Sequence, residues 1–387
     1  MEWVSTLSIF LSIVYAVLLS MYRQAWRVLP VRELPDGFES NTRITVLIPA
    51  RNEADNIAAC LQAVLNENYS HSSLEIIVLD DFSSDETVAR VQRISQKFKP
   101  PGSLISCICL ADHLPSEAIF SPNKKKAIEI GVAHARGEII VTTDADCIVP
   151  KDWLLYHLHA FENASVQMVC GPVVFWREKN LFQRFQSLDF LGMMGITGAG
   201  YQLGWHQMAN GANFAFRKEV FEVVNGYSGN EHLASGDDMF LAQKVAKQWP
   251  GSVVFLKSLA VTVQTAPMPD LYSFWQQRLR WGTKNAAIPD WSLRLSLLMV
   301  FLMCWSMWLN IGLVIAGVLS WQIVGFQWLI KCIFDFFLLS EICRFFKRQD
   351  LLRWFMPSVI MHTAYIAWLG IASILIKNYA WKGRRAS

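Results

Sequence analysis

The sequence predicts an α/β fold in which a doubly wound sheet is flanked by transmembrane helices. Apolar, strand-like runs alternate with amphipathic helical segments between residues 44 and 143, as is typical of a parallel sheet with helices on both faces. Long apolar stretches lie near both ends of the 387-residue chain, and hydrophobic residues make up 53% of it. The alternation predicts the sheet, and the terminal stretches predict membrane anchoring.

Turn residues and hydrophobic periodicity divide the middle of the chain into alternating strands and helices. Acidic residues follow several of the predicted strands, at the edge where open α/β sheets bind ligands. The predicted strands cover residues 44–48 (stopped by Pro49), 74–79, 104–110 and 138–143, and the predicted helices cover 56–66, the segment after Asp85, and 127–135.

The terminal apolar runs are long enough to span a bilayer. Residues 3–22 are almost wholly apolar and precede Arg23, Arg27 and Arg32, which places the next domain in the cytoplasm. Three further spans are predicted at 294–319, 322–343 and 355–376, and the second contains Lys331, Asp335 and Glu341. Such charges face protein or mark function, or the helix is tilted and partly interfacial. The predicted division is an N-terminal transmembrane helix (1–22), a cytosolic domain (42–290), a transmembrane region of about three helices (293–378) and a basic tail (379–387).

Basic residues on both sides of the last predicted span create a topological conflict. One group lies within 344–353, and the other begins at Lys377 and continues through the tail. If every segment crosses the membrane, both groups cannot be cytosolic. Either the positive-inside bias fails at one group or one segment does not cross, and the sequence leaves both possibilities open.

The overall composition argues against two other classes of protein. The formal net charge is only +3, and the basic residues form no long stripe of the kind that tracks nucleic acid. The eight cysteines are scattered without zinc-finger spacing, so we expect reduced, mostly buried thiols. We therefore expect no nucleic-acid partner and no disulfide framework.

Polar clusters follow the first two predicted strands. The first cluster is Pro49-Ala50-Arg51-Asn52-Glu53, and the second is Asp80-Asp81. Carboxylates in such turns can accept hydrogen bonds from a ribose or a base amide. The other interpretation is a pair of ordinary polar turns with helix caps, for which Ser84 and Asp85 are suitable.

Two acidic pairs lie further along the chain. Asp144-Ala145-Asp146 follows a predicted strand, and two carboxylates there could hold a hard divalent ion that binds phosphate oxygens. In Gly236-Asp237-Asp238 a carboxylate could take a proton from an attacking hydroxyl. The alternative for this second pair is an acidic helix N-terminus before Met239–Val245.

The fifth cluster is Gln277-Arg278-Leu279-Arg280-Trp281. On a helix Gln277, Arg280 and Trp281 share one face, because they are three and four residues apart. An arginine suits diphosphate oxygens, and an indole suits a sugar ring or a lipid interface. An interfacial amphipathic helix flanked by Trp275 and Trp281 is the other interpretation, and the two are compatible.

These five clusters, in this order, resemble the membrane-bound family 2 glycosyltransferases, which have the GT-A fold and include cellulose synthase, hyaluronan synthase and ceramide glucosyltransferase. The resemblance covers about residues 42–285. It implies the GT-A fold, a nucleotide-sugar donor (most commonly a UDP-sugar) and a Mg²⁺ or Mn²⁺ ion. It also implies a membrane enzyme, in the plasma or inner membrane, with a cytosolic catalytic domain.

The resemblance also implies a role for each matching residue. The residues that would bind the donor are Pro49, Arg51, Glu53, Asp81, Lys124 and Asp144, and those that would bind the metal are Asp144 and Asp146. Asp238 would be the catalytic base, with Asp237 as its rival. The residues that would bind the diphosphate and the acceptor are Gln277, Arg280, Trp281 and Asn213. Gly236-Asp237-Asp238 stands where the family more often has Thr-Glu-Asp or Glu-Asp. The run Lys124-Lys125-Lys126 leaves open which lysine faces the nucleotide.

The expected reaction is an inverting sugar transfer to a lipid or lipid-linked acceptor. A polysaccharide synthase is the alternative within the family, with a glycan as its acceptor. Two alternatives lie outside it: a metal-dependent phosphoryl hydrolase, which would not need the Gln-x-x-Arg-Trp face, and an inactive membrane scaffold.

Overall fold

A computed structural model describes most of the chain, and the described residues form two compact units. The structure describes residues 2–98, 104–120, 123–229, 236–287, 290–376, 379–382 and 384–386. The helical unit comprises Met1–Pro30, Arg177–His206 and Pro267–Lys377. The sheet unit comprises Val31–Trp176, Gln207–Ala266 and Asn378–Ser387.

Between residues 44 and 143 the helices and strands follow the order that the sequence pattern predicts. The helices are α1 (Glu2–Val28), α2 (Ile57–Leu65), α3 (Thr87–Lys97), α4 (Lys124–His134), α5 (Trp153–Phe161), α6 (Leu181–Leu203), α7 (Lys218–Val223), α8 (Asp237–Gln248), α9 (Leu271–Ala287), α10 (Trp291–Ile315), α11 (Trp321–Phe345) and α12 (Phe355–Leu375). The strands are β1 (Ile44–Ala50), β2 (Leu74–Asp80), β3 (Leu104–Cys109), β4 (Ile139–Thr142), β5 (Met168–Cys170), β6 (Val173–Phe175), β7 (Phe214–Arg217), β8 (Val253–Phe255), β9 (Val263–Thr265), β10 (Tyr379–Trp381) and β11 (Arg384–Ala386).

The sheet unit is built around a seven-stranded mixed sheet in the order β3-β2-β1-β4-β7-β5-β8. The first four strands in this order are parallel, as predicted. β7 differs, because it runs antiparallel to both β4 and β5. Its Phe214-Ala215-Phe216 segment is buried. A short apolar run of this kind carries no periodicity that would reveal its direction, so the inserted antiparallel strand was not predictable from the pattern.

Strand β1 continues through Pro49 instead of stopping there. Pro49 pairs with Leu79 of β2, and the strand ends at Ala50. On the other side of β1 the pairing with β4 ends earlier, at Leu47 opposite Thr142. Leu47 directs its carbonyl to that side, where it accepts from Thr143 N, and Pro49 has the same orientation. Because β4 has ended there, proline's missing N–H leaves no ladder bond unmade.

The helical unit contains four described helical segments that are long and apolar enough to cross a membrane. They are Glu2–Val28, Trp291–Ile315, Trp321–Phe345 and Gln349–Ser373, with mean hydropathies of 2.1, 2.1, 1.7 and 1.4. Their number and position match the predicted spans, which supports a membrane protein. The predicted domain boundaries stay a prediction.

The charges of α11 face protein. Lys331 Nζ lies 2.7 Å from Asp335 Oδ2 and donates to Tyr15 Oη of α1 at 2.9 Å, and Tyr15 donates to Asp335 Oδ1 at 2.5 Å. All three side chains are buried. This triad satisfies the polar groups that apolar surroundings would otherwise penalise, so the polar-inner-face interpretation of these residues is the appropriate one.

Candidate functional site

Parallel pairing places the predicted clusters along one edge of the sheet. Ala50 pairs with Asp80, and Leu47 pairs with Thr142, so β1, β2 and β4 all end at this edge. Backbone bonds continue just beyond the strands, from Asp81 N to Ala50 O at 2.8 Å. The segments that follow the strands therefore begin side by side, as expected for the ligand-binding edge of an open sheet.

The turns after β1 and β2 hold each other in an unusual backbone conformation. Asn52 and Phe82 have φ values of 51° and 54°, a region that non-glycine residues seldom adopt. Asn52 N donates to Ser83 Oγ at 3.0 Å, and Ser84 N donates to Asn52 Oδ1 at 2.8 Å. Arg51 Nη1 donates to Asp81 O at 2.6 Å. Strain maintained by neighbouring contacts is characteristic of ligand-binding turns.

Lys124 is the lysine of the basic run that joins the acidic site. Its Nζ lies 2.6 Å from Asp144 Oδ1. It is also close to Gly211, because a Cβ built on that glycine would lie 3.3 Å from Lys124 Nζ and 3.8 Å from Asp238 Oδ2. The structure thus brings Asp144, Lys124 and Asp238 around Gly211. Lys126 instead pairs with Glu129 at the surface.

Asp238 is positioned by two backbone N–H groups. Gly211 N donates to Oδ2 and Met239 N donates to Oδ1, both at 2.8 Å. The residue lies in the first turn of α8, so the acidic-helix-start interpretation also holds. Asp237 begins the same helix, but its side chain lies outside the described residues.

Carboxylates accumulate around Asp146. Burial, followed by the neighbouring charges of Asp144 and Glu53, raises the pKa of Asp146. Thr265 Oγ1 donates to Asp146 Oδ2 at 3.3 Å. Among the described residues no group of three His, Cys, Asp or Glu side chains is arranged to hold a metal ion. Any ion held by Asp144 and Asp146 would need further ligands from a substrate or water.

The C-terminal tail supplies two cations that the sequence did not predict at this site. Arg384 forms a bidentate pair with Asp81, with distances of 2.5 and 2.9 Å. Lys382 Nζ pairs with Glu53 Oε1 and donates to Arg51 O at 3.1 Å. Glu53 and Asp81 are therefore both engaged by the tail. The only sequence signal was the basic character of residues 379–387.

Asn213 requires a correction. Its side chain is fully buried, and Nδ2 donates to Pro172 O and Val261 O at 2.8 and 2.7 Å. Its Oδ1 accepts from Trp153 Nε1 at 2.9 Å and from His157 Nε2 at 3.0 Å. All four bonding positions of the amide are used, so it cannot contact a substrate. Asn213 instead holds together the segments around β5, β7 and β9.

The predicted diphosphate and acceptor face belongs to the helical unit. Gln277, Arg280 and Trp281 are partly buried on α9. Trp281 stacks on Phe190 of α6, with ring centroids 5.8 Å apart. Gln277 Oε1 is buried and has no hydrogen-bond partner among the described residues. That these three residues share one site with Asp146 and Asp238 stays a prediction.

Arg278, between these residues, was not singled out from the sequence. It forms a buried ion pair with Asp189 of α6 at 2.7 Å, and its guanidinium lies 4.5 Å from the Trp281 ring centroid. Tyr365 of α12 donates to Asp189 Oδ1 at 2.9 Å. These contacts fix α9 against α6 and α12 and so orient the Trp281 side chain.

Comparisons with known proteins bear on the family. A model described as "Glycosyl transferase family 2" matches residues 45–224, and one described as "Glycosyl transferase family group 2" matches residues 139–371, more than half of the chain. The chain belongs to this glycosyltransferase family. It is therefore a glycosyltransferase enzyme, as the five clusters predicted.

Two curated relatives of this glycosyltransferase are bacterial proteins. "Probable glycosyltransferase YdaM" of Bacillus subtilis is 28% identical over 264 residues, which are 66% of this chain and 56% of the relative. "Poly-beta-1,6-N-acetyl-D-glucosamine synthase" of Staphylococcus aureus is 23% identical over 244 residues, which are 62% of this chain and 53% of the relative. The match spans little more than half the length of each relative.

A solved structure confirms the GT-A fold of the glycosyltransferase. It is described as the mannosyltransferase PcManGT from Pyrobaculum calidifontis in complex with GDP-Man and Mn²⁺. The TM-score is 0.59 at 19% identity, and the match covers 96% of this chain and 99% of that one. Similarity at this level of identity shows the shared fold.

We expect His157 to make the stability of the enzyme sensitive to mild acid. Burial lowers the pKa of His157 to about 4, against 6.5 when unfolded, because a second ring proton would have no acceptor. The histidine therefore contributes stability fully above pH 6.5, and that contribution is lost as pH falls towards 4, by up to about 1.4 kcal/mol per pH unit.

The measurement is the thermal unfolding midpoint of purified protein between pH 7.5 and 5 in about 0.5-unit steps, chosen to bracket the ordinary histidine pKa. His157→Gln should flatten the decline while keeping a donor to Asn213. His159→Gln, on the more exposed face of α5, should follow the wild-type curve. Identical curves for wild type and His157→Gln would contradict the assignment.

Proposed function

We propose that the enzyme transfers a sugar, with inversion, from a nucleotide diphosphate to a lipid or lipid-linked acceptor at the membrane. The observation that carries the proposal is the grouping of Asp144, Lys124 and Asp238 around Gly211, beside the strand edge that bears Asp81. A base, a cation and metal-binding carboxylates within one site are what this reaction requires.

The donor would bind along the sheet edge. Glu53 and Asp81, after β1 and β2, would accept hydrogen bonds from the nucleoside, with Pro49 and Arg51 shaping the turn. Lys124 would then lie next to the diphosphate. We keep a UDP-sugar as the proposed donor. Because the Pyrobaculum neighbour is described with GDP-Man, a donor screen should include both bases.

Asp144 and Asp146 would hold a Mg²⁺ or Mn²⁺ ion. The raised pKa of Asp146, which reflects desolvation and the charges of Asp144 and Glu53, supports a cation at this position, and hard divalent ions prefer such oxygen ligands. When bound, the ion supplies charge neutralisation for the departing diphosphate. The neighbour of the same fold that is described with Mn²⁺ supports this proposal.

Asp238 would act as the base. Its carboxylate takes the proton of an acceptor hydroxyl, and that oxygen attacks the anomeric carbon as the bond to the diphosphate oxygen breaks. The two backbone N–H donors hold the carboxylate in place for this transfer. Lys124 contributes positive charge near the leaving group. Asp237 remains the rival candidate for the base.

We expect Asp238→Asn to reduce sugar transfer about 10²- to 10⁴-fold, because an amide cannot accept the proton. Donor binding should change less than about threefold, since the amide can keep one backbone bond. The measurements are nucleotide diphosphate release with acceptor and equilibrium donor binding. Asp36→Asn, an exposed acid, is the matched control. Near-normal turnover in Asp238→Asn would exclude this base and favour Asp237.

The acceptor class can be tested by product analysis. The small number of apolar helical segments, four among the described residues, favours a single transfer to a membrane lipid over extrusion of a polymer. Similarity to the Staphylococcus synthase favours the alternative. We expect lipid extracts incubated with enzyme and donor to gain one sugar per acceptor, as measured by mass spectrometry. A ladder of products or an insoluble glycan would support the polysaccharide synthase instead.

Contacts within the helical unit support a topology with three crossings. Near one end of the bundle, Asn310 of α10 donates to both Ser8 of α1 and Gln327 of α11 at 2.8 Å. Near the other end, Glu341 of α11 pairs with Arg23 of α1 at 2.5 Å. The three helices thus run side by side along their length, and Arg23 lies at the end that leads into the catalytic domain.

Two contacts join helix α12 to this bundle among the residues that the structure describes. Its first residue, Phe355, packs on Phe336 in the second half of α11, with ring centroids 5.2 Å apart. Gly370, near its other end, lies against Phe301 in the first half of α10. Both contacts lie in the halves of α10 and α11 at the Arg23 end of the bundle, because Ser296 near the start of α10 bonds to Tyr22 of α1 at 2.7 Å and Glu341 near the end of α11 pairs with Arg23. Between them Tyr365 bonds to Asp189 of α6, which is not one of the candidate spans.

We infer that α12 lies along the cytosolic face instead of crossing the membrane. The contacts of Lys382 and Arg384 with Glu53 and Asp81 support this independently, because they require the tail and the catalytic site to share a side. The arrangement also resolves the charge conflict. The basic groups at 344–353 and in the tail then both lie on the cytosolic side, as the positive-inside bias requires.

A fluorescent protein fused after Ser387 should therefore fluoresce in the cytoplasm, because three crossings return the C-terminus to the side of the catalytic domain. A fusion placed after Leu319, between α10 and α11, should report the opposite side and serves as the control. Opposite reporter signals for the C-terminus and the catalytic domain would show that α12 crosses.

A further inference from the structure

The C-terminal tail forms a hairpin within the sheet unit. Strands β10 and β11 pair antiparallel, with Trp381 opposite Arg384, so Lys382 lies in the turn and Arg384 begins the second strand. Both side chains enter the acidic edge of the sheet. The tail is thus a defined element that reaches back to residues more than 300 positions earlier in the chain.

Arg384 is fixed as tightly as a core residue. Its side chain is 2% exposed, and that of its partner Asp81 is 4% exposed. Besides the bidentate pair, Arg384 Nε donates to Ile119 O at 2.6 Å. Asn123 Nδ2 donates to Asp81 Oδ1 at 3.1 Å, which adds a third donor to the same carboxylate. Asp81 therefore has little accessible surface left for another ligand.

Lys382 forms an ion pair with the second carboxylate of the proposed nucleoside site, that of Glu53. It pairs with Glu53, whose other oxygen accepts from Asn56 Nδ2 at 2.7 Å. Arg51 Nε in turn donates to Lys382 O at 3.4 Å, so the hairpin turn is held from two directions. The tail thus contacts both carboxylates proposed to bind the donor nucleoside, Glu53 and Asp81, and also Arg51 in the adjoining turn.

We propose that this hairpin is an autoinhibitory plug that competes with the nucleotide for the donor site. The inference rests on the proposed function, in which Glu53 and Asp81 hold the nucleoside. One carboxylate cannot accept a guanidinium and a ribose or base in the same place, so donor binding requires Arg384 to leave. Apparent donor affinity is then reduced by the fraction of molecules whose tail is seated.

The opposite charges of the tail and the nucleotide favour replacement of the tail by the nucleotide at the donor site. The tail carries Lys382, Arg384 and Arg385, whereas a nucleotide diphosphate with one divalent ion is anionic or neutral. Displaced basic residues can bind the anionic cytosolic membrane surface, which attracts such clusters. When a donor binds together with a divalent ion, that ion would neutralise the acidic side chains of the site in place of the tail cations.

The test compares wild-type protein with Arg384→Gln, and with Arg93→Gln as a control at an exposed arginine on α3. Equilibrium binding of UDP and GDP is measured in purified full-length protein with Mn²⁺. We expect Arg384→Gln to bind its nucleotide about tenfold more tightly than wild type, equivalent to about 1.4 kcal/mol. The control should match wild type.

A second readout follows the tail itself. Brief trypsin treatment, with the C-terminal peptides identified by mass spectrometry, should cleave after Lys382 and Arg384 slowly in wild type. Asp81→Asn, or the nucleotide with Mn²⁺, should accelerate this cleavage because either removes the partner that protects the tail.

The outcomes separate the two claims. Equal nucleotide affinity in wild type and Arg384→Gln would overturn the plug and leave the proposed function intact. Weaker binding in Arg384→Gln would also overturn the plug and make Arg384 part of the donor site. Absence of nucleotide binding in every variant would overturn the proposed function, and the plug with it.

Discussion

Parallel pairing of β2, β1 and β4 is the constraint on which the catalytic domain depends. Side chains that leave these strands at their carboxyl ends must meet at one edge, whatever the chemistry of the residues. The register places Ala50 beside Asp80 and Leu47 beside Thr142, and it tolerates Pro49 only because β4 has already ended. The acidic site is thus a consequence of topology before it is one of side-chain chemistry.

Carboxylates that lie together at one edge of the sheet repel one another, and lysine and arginine side chains of the same chain compensate for this repulsion. Lys124 balances Asp144, Lys382 balances Glu53, and Arg384 balances Asp81. Each of these pairs involves a residue proposed to bind donor or metal. If the site accepts a metal–diphosphate as proposed, it has to remain stable before that ligand binds, and internal cations provide this stability.

Local features of the fold were predictable from sequence, and long-range side-chain contacts were not. Strands, helices and clusters such as Asp144-Ala145-Asp146 follow from periodicity over a few residues. The burial of Asn213 depends on partners 41 to 60 residues away, and the Arg278–Asp189 pair joins two separate helices. The hydropathy of α12 matches a span, whereas the proposal that it does not cross rests on its contacts with α6, α10 and α11 and on those of the tail. Residue patterns therefore predict secondary-structure elements, whereas tertiary burial determines which polar side chains can contact a ligand.

The buried triad of Tyr15, Lys331 and Asp335 has a consequence for how the protein is made. Tyr15 lies in α1, which leaves the ribosome well before α11, because Lys331 and Asp335 follow some 316 residues later. The free-energy cost of inserting a helix with a lysine and an aspartate into the bilayer is lower if a hydroxyl group in the membrane can hydrogen-bond to both side chains. Helix α1 would thus assist the membrane insertion of α11. A hydrophobic helix without a hydroxyl group at the position of Tyr15 could not replace it in this role.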